Sequence, residues 1–146
     1  MSDKKKKVFV QGPISAEFVA ESIAKHQPKT GIGAHDIFLG QVRADVIDGK
    51  EVRGIEYTAY EDMAAEKIHD IREETFDRFD LSCMHIYHSL GWVATGELSL
   101  FVFVSSAHRK PCFEALEYLV ERLKAEVPIF GKEVLEGDEH RWKKNN

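Results

Sequence analysis

The sequence predicts an α+β fold, with a mostly antiparallel sheet, three helices and a C-terminal hairpin. Three observations carry this. Segments starting near Ser15, Asp62 and Pro111 repeat apolar residues at helical spacing. Between them lie short runs rich in β-branched and aromatic residues, of which Leu98 to Val104 is the most apolar and suits a central strand. Several neighbouring runs are joined by turns too short for a crossover, so antiparallel pairing fits better than a doubly wound parallel sheet.

The elements follow in order. Lys4 to Lys7 form a basic run ahead of Val8, and residues 1–7 read as a disordered, solvated tail. Val8 to Gln11 form a short strand, punctuated by Gly12-Pro13. Ser15 is a good N-cap for a helix that turns Phe18, Val19, Ser22 and Ile23 inward and stops before Pro28, with Ile14 stapled onto Val19. After a loop with two glycines, Ala34 to Arg43 form a strand whose polar end is Gly40-Gln41-Val42-Arg43. Asp48-Gly49 signals a turn, and Glu51 to Tyr60 resume as an alternating strand with Val52, then Ile55, Tyr57 and Ala59 on one face; these two strands are expected to pair as a hairpin. Asp62 is expected to cap a helix that buries Ala64, Ile68, Ile71, Thr75 and Phe79 and turns Glu66, Asp70, Glu73 and Asp77 to water. Cys83 to Ser89 form a strand, with breaks expected at Gly91-Trp92 and Thr95-Gly96. The Leu98 strand leads through Ser105-Ser106-Ala107-His108-Arg109 into a helix from Pro111. Phe113, Leu116, Leu119, Val120, Leu123 and Val127 make its apolar face, and Pro128 ends it. Ile129 to Glu136, a Gly137-Asp138 turn and Glu139 to Lys143 close the chain as a hairpin.

At 146 residues the chain is read as one domain over 1–146, with 43% hydrophobic and 31% charged residues. A net charge of -5 argues against a nucleic-acid binder, which needs a basic face, but leaves room for a local basic pocket. No stretch approaches the roughly 20 apolar residues of a membrane span and no secretory signal is visible, so a cytoplasmic protein is expected. Cys83 and Cys112 lie in different elements without metal-ligand spacing and read as small core residues. The remaining histidines are scattered, and His85 and His88 fall on opposite faces of a strand, so no metal site is expected.

The cations that could do chemistry sit at element ends: Arg43, His108, Arg109, Lys124 and Lys132. At the junction of a strand and a long helix, His108 and Arg109 beside free N–H groups would attract phosphate or carboxylate, the plain alternative being a capped, solvated loop. Lys124 stands on the border of a buried helix face, where an ammonium either snorkels to water or has its pKa lowered enough to act as a nucleophile or proton shuttle. No serine elbow surrounds Ser105 and Ser106, which makes serine hydrolysis a poor reading.

Taken together, Phe38-Leu39-Gly40-Gln41-Val42-Arg43, Ser106-Ala107-His108-Arg109 leading into Phe113-Glu114-Ala115, and Leu123-Lys124-Ala125-Glu126-Val127-Pro128-Ile129 resemble the large, catalytic subunit family of molybdopterin synthase. Tyr60-Glu61-Asp62-Met63-Ala64 and His88-Ser89-Leu90-Gly91 fall in the same register, and the resemblance runs from about Val8 to Trp142. It implies an α/β-hammerhead fold and a homodimer of large subunits. A small ubiquitin-like sulfur-carrier subunit would sit at each end, completing a heterotetramer. It implies a sulfurtransferase that converts precursor Z, a cyclic pyranopterin monophosphate, to molybdopterin, inserting two sulfurs as a dithiolene from the carrier's C-terminal thiocarboxylate. No metal or other cofactor is implied.

By the same resemblance Gln41, Val42 and Arg43 line the substrate pocket, and His108 and Arg109 bind its anionic part from the other protomer. Lys124 acts on the carrier's terminal carbonyl. Many members carry a lysine directly after the aromatic residue that follows Pro-Ile or Pro-Phe, whereas this chain has Phe130-Gly131-Lys132. A one-residue shift in a strand turns a side chain to the other face unless a bulge restores it. On the expectation of such a bulge at Gly131, Lys132 is assigned with Glu133 to the pocket, Lys132 as a second catalytic lysine, and Arg141 is a further basic candidate. Two other classes compete: a non-catalytic module that binds a ubiquitin-like tail or acidic peptide, and a persulfide transferase using Cys112 activated at a helix N-terminus.

Overall fold

Leu98–Ser106 (β6) is buried along almost its whole length, and its alternation organises the molecule. Leu100, Val102 and Val104 face one side and Phe101 and Phe103 the other, each face with its own core. The structure is a computed structural model that describes residues 7–143; of the expected tail only Lys7, which is exposed, lies within it, and residues 1–6 fall outside. The elements are β1 (Phe9–Gln11), α1 (Ala16–His26), β2 (Ala34–Gln41), β3 (Val46–Ile47), β4 (Lys50–Ala59), α2 (Glu61–Arg78), β5 (Cys83–Ala94), β6, α3 (Arg109–Glu126), β7 (Ile129–Leu135), a single 3-10 turn over Glu136–Asp138 and β8 (His140–Trp142).

One sheet of eight strands runs in the order β2-β6-β5-β4-β7-β8, with β1 beside β5 and β3 beside β4. Only β1 pairs in parallel. Helices α2 and α3 cover one face through Ile68, Ile71, Leu119, Val120 and Leu123, packed on Met84, Ile86 and the even-numbered residues of β6. Helix α1 covers the other face, where Phe18, Val19 and Ile23 pack with Ile14 on Phe101 and Phe103. Ser15 caps α1 as its sequence suggests, its hydroxyl accepting from the Phe18 N–H at 3.0 Å.

Four local expectations are corrected. β2 does not pair with β4: the apolar length of β6 takes β2 as its partner from Ala34 to Gln41, and Asp48-Gly49 closes only the two-rung ladder of β3 with β4. β5 runs unbroken through Gly91, whose φ of +84° bends the strand so that it pairs with β6 before the bend and with β4 after it. Tyr60, not Asp62, is the N-cap of α2. α3 starts two residues before Pro111 and buries Cys112 and Ala115, leaving Phe113 exposed. The switch of phase between Val52 and Ile55 has its cause in a register shift between Val52 and Gly54.

Candidate active site

Two cavities meet beneath the C-terminal end of α3, of about 350 Å³ and about 330 Å³. Tyr57, Ser99, Lys124 and Lys143 line both, so they form one cleft with two lobes. The first lobe is floored by Ile86, His88 and Leu100 and flanked by Phe130 and Trp142; the second opens along Gln41, Val42 and Arg43 to Glu133.

The strand exit of β2 is held in place by backbone. The Val42 N–H donates to the Glu97 carbonyl at 3.0 Å and the Gly96 N–H to the Val42 carbonyl at 2.8 Å, while a register shift at Gly40/Gln41 turns the chain out of the sheet. Val42 is buried with Ile55 and Val93, which leaves Gln41 and Arg43 exposed on either side of it. Arg43 touches Asp45 at 3.3 Å in an exposed pair that contributes little to stability and leaves the guanidinium available to an anion.

Lys124 projects from the last turn of α3. The residue as a whole is exposed, yet its ammonium is withdrawn into the cleft, and that desolvation pushes its pKa below the ordinary lysine value. Lys143 and Arg43 push in the same direction, while Glu121 opposes them. Three cations therefore share one cleft of an acidic protein, a standing repulsion that an anionic ligand relieves.

Behind them lie groups able to manage protons. The Tyr57 hydroxyl donates to Ser99 Oγ at 3.3 Å; burial raises its pKa, opposed by Ser99 and aided by Glu133. The Tyr57 ring stands edge-on to His88 at 5.0 Å. His88 Nδ1 donates to the Ser89 carbonyl at 2.7 Å, so Nε2 carries the lone pair. Enclosure by protein depresses the His88 pKa to about 4 against the help of that hydrogen bond, and Lys124 lowers it further, leaving a neutral imidazole. Glu133 is buried, with Arg141 Nε 3.5 Å from its carboxylate.

The structure thus brings together Gln41, Val42, Arg43, Lys124 and Glu133, with Arg141 attached through Glu133. It does not bring in the other three residues. Register runs unbroken through Gly131, Lys132 and Glu133 opposite Tyr57, Glu56 and Ile55, so no bulge exists and Lys132 lies on the face away from Glu133, lining neither lobe. His108 and Arg109 stand exposed at the far end of α3, about 22 Å from Lys124 at 1.5 Å per residue. Cys112 is buried, with its Sγ directed at the Ala34 carbonyl at 3.4 Å; burial, together with Asp36, raises its thiol pKa, which removes the basis for an activated persulfide carrier.

Lys143 is the residue that sequence reasoning missed. Its N–H donates to the Gly131 carbonyl at 2.8 Å, continuing the β7–β8 ladder by one rung, so the lysine stands across from the glycine. A signal existed: pairing is symmetric about Gly137, which sets residue 143 opposite residue 131. Gly131 keeps that ground clear, since a Cβ there would lie 2.9 Å from Ile55 Cγ2 and 3.3 Å from the Tyr57 ring.

The family model described as "MoaE protein" matches residues 10–126. A molybdopterin synthase catalytic subunit from Bos taurus is 38% identical over 113 residues, a match covering 77% of this chain and 59% of the relative, so the chain spans about three-fifths of that curated protein. The crystal structure of molybdopterin synthase from Staphylococcus aureus superimposes with a TM-score of 0.82 at 31% identity, covering 94% of this chain and 96% of the other. A complex of subunits 1 and 2 of the molybdopterin-converting factor from Helicobacter pylori 26695 shares the fold at a TM-score of 0.80 and 21% identity, over 95% and 90% of the two chains. With four-fifths of its length matched in sequence and nearly all of it in fold, the chain belongs to the MoaE protein family.

Proposed function

We propose that this chain is the catalytic subunit of a molybdopterin synthase. It would convert precursor Z to molybdopterin by inserting two sulfurs delivered as a thiocarboxylate on the C-terminus of a small ubiquitin-like carrier. The observation that carries this reading is the convergence of Arg43, Lys124 and Lys143 on one cleft of a protein whose net charge is -5. A pterin phosphate and a thiocarboxylate are both anions, and clustered ammonium and guanidinium groups bind them while neutralising charge in the transition state.

In this reading Gln41 to Arg43 hold the phosphate end of the substrate in the second lobe, and the carrier tail enters the first. Exposed Phe130 and Trp142 flank that lobe and Tyr60 stacks edge-on against Phe130 at 5.6 Å, an apolar rim suited to a protein partner. The Helicobacter pylori structure is a protein-protein complex of two subunits, which supports a second subunit as partner. Lys124, its basicity lowered, polarises or transiently bonds the carrier's terminal carbonyl. Lys143 supplies the second ammonium that Lys132 does not. His108 and Arg109, too far to act within their own chain, serve the cleft of a second copy, giving a homodimer inside a heterotetramer. The reaction calls for no metal or resident cofactor. The described residues contain no helix long and apolar enough to cross a membrane. Both cysteines are free thiols, in keeping with the reducing cytoplasm.

Turnover of precursor Z with thiocarboxylated carrier tests the assignment. Lys124→Ala is expected to lose at least about 100-fold in rate and Lys143→Ala at least about 10-fold, with melting temperatures unchanged, while Lys132→Ala stays within about twofold of the parent. Full activity in Lys124→Ala would end the catalytic role given to it. A loss in Lys132→Ala equal to that in Lys143→Ala would overturn the exchange of one lysine for the other.

A further inference from the structure

On the opposite face of the sheet from the cleft, His26, Cys83 and His85 place one ligand atom each within 4.8 Å of one another. His26 ends α1 and is buried; Cys83 and His85 alternate on β5, so both point to the α1 side, and both are half-buried. The His26 and His85 Nε2 atoms are 2.9 Å apart. His26 Nδ1 lies 2.7 Å from the Ser22 carbonyl, which only accepts, so Nδ1 carries the proton and the lone pair of Nε2 is aimed at His85 and Cys83. A carbonyl that fixes the tautomer of a histidine in this way is the usual outer support of a metal ligand.

We propose that these three residues form a structural site for a zinc-class ion, with a fourth position open to water. Tetrahedral zinc with bonds of about 2.0 to 2.3 Å needs ligand atoms about 3.4 Å apart, which the observed separations of 2.9 to 4.8 Å bracket. Two imidazoles and a thiolate are the ligand types this ion prefers. The C-terminal end of α1 adds partial negative charge, and Lys29 Nζ donates to Cys83 Sγ at 3.3 Å, a contact that a metal thiolate can keep. The ion would fasten the end of α1 to the start of β5, where the two histidine rings already lie edge to face beside Phe103. Sequence spacing conceals the site because His26 and His85 are 59 residues apart.

Full-length protein freed of metal with a chelator and titrated with Co²⁺ provides the test. One equivalent should produce a thiolate-to-cobalt charge-transfer band in the near ultraviolet, displaced by one equivalent of Zn²⁺, and Zn²⁺ should raise the melting temperature by about 4 °C or more. The band should vanish in Cys83→Ser and in His85→Gln and persist in Cys112→Ser. Absence of the band in the parent protein, or its persistence in Cys83→Ser or His85→Gln, would overturn the site and leave a hydrogen-bonded histidine pair. Both tested residues are only half-buried, so either variant decides the matter if the other fails to fold by far-ultraviolet circular dichroism.

Discussion

His88 shows how one enclosed side chain couples the cleft to stability. Its folded-state pKa of about 4 lies below the ordinary imidazole value of 6.5 because burial disfavours the cation. Between those values the unfolded chain binds the proton and the folded chain does not, so stability rises with pH across this window and is lost as pH falls through it. The loss from pH 7 to pH 4 is about 3 kcal/mol. Urea denaturation over this range should show it, and in a His88→Gln variant the fall from pH 7 to pH 4 should be smaller by about that amount; an unchanged fall would remove His88 as its source. Among single residues, Lys124 was legible because helical spacing sets it at the border of a buried face. Tyr57 could be placed on the correct face of its strand by alternation. Its partnership with Ser99 and His88 was not legible, since those contacts join β4 to β6 and β5 across tens of residues.

Elements were read best where burial is one-sided or complete. The β6 strand followed from its run of β-branched and aromatic residues, and the burial of Ala64, Ile68, Ile71 and Thr75 in α2 from helical periodicity. The first turns of α3 did not. There the helix lies close to the sheet, with Cys112 Sγ within reach of the Ala34 and Val104 carbonyls, and only small residues fit. Hydropathy weighs a large residue above a small one, so it favoured Phe113 over Cys112 and Ala115. Two buried positions one turn apart in α3 should therefore respond oppositely to size. Ala115→Leu is expected to destabilise by about 1 to 3 kcal/mol through overpacking, whereas Leu119→Ala should cost about 2 to 5 kcal/mol by leaving a cavity. Chemical denaturation of both variants checks this, and a neutral Ala115→Leu would show the contact to be loose. The choice of strand partners also escaped local reading: Asp48-Gly49 makes its turn, but which strands lie side by side depends on the competition of all strands for β6.

At the scale of the whole molecule, charge is distributed unevenly. The protein is acidic overall, yet cations gather at both ends of α3 and around the cleft. If His108 and Arg109 complete the cleft of a second copy, two defective chains can repair one another. A mixture of Lys124→Ala and Arg109→Ala chains, each nearly inactive alone, should recover about a quarter of wild-type turnover, because half the dimers are mixed and each holds one intact site. A mixture no better than its parents, once native mass spectrometry shows that mixed dimers have formed, would remove Arg109 from the cleft of a second copy. The family motifs were legible in the sequence because they fall at strand exits and helix ends, where side chains are free to act. The opposition of Lys143 to Gly131 was not, because it is written across a ladder rung instead of along the chain. Directly opposed residues of an antiparallel pair project to the same side with their Cβ atoms about 5 Å apart. An essential charge can therefore cross from one strand to its neighbour during evolution without leaving the space it serves. Column-by-column comparison would score such a move as a loss. The turn over Glu136–Asp138 then acts as the gauge of that arrangement, since inserting a single residue there would rotate Lys143 to the far side of the sheet.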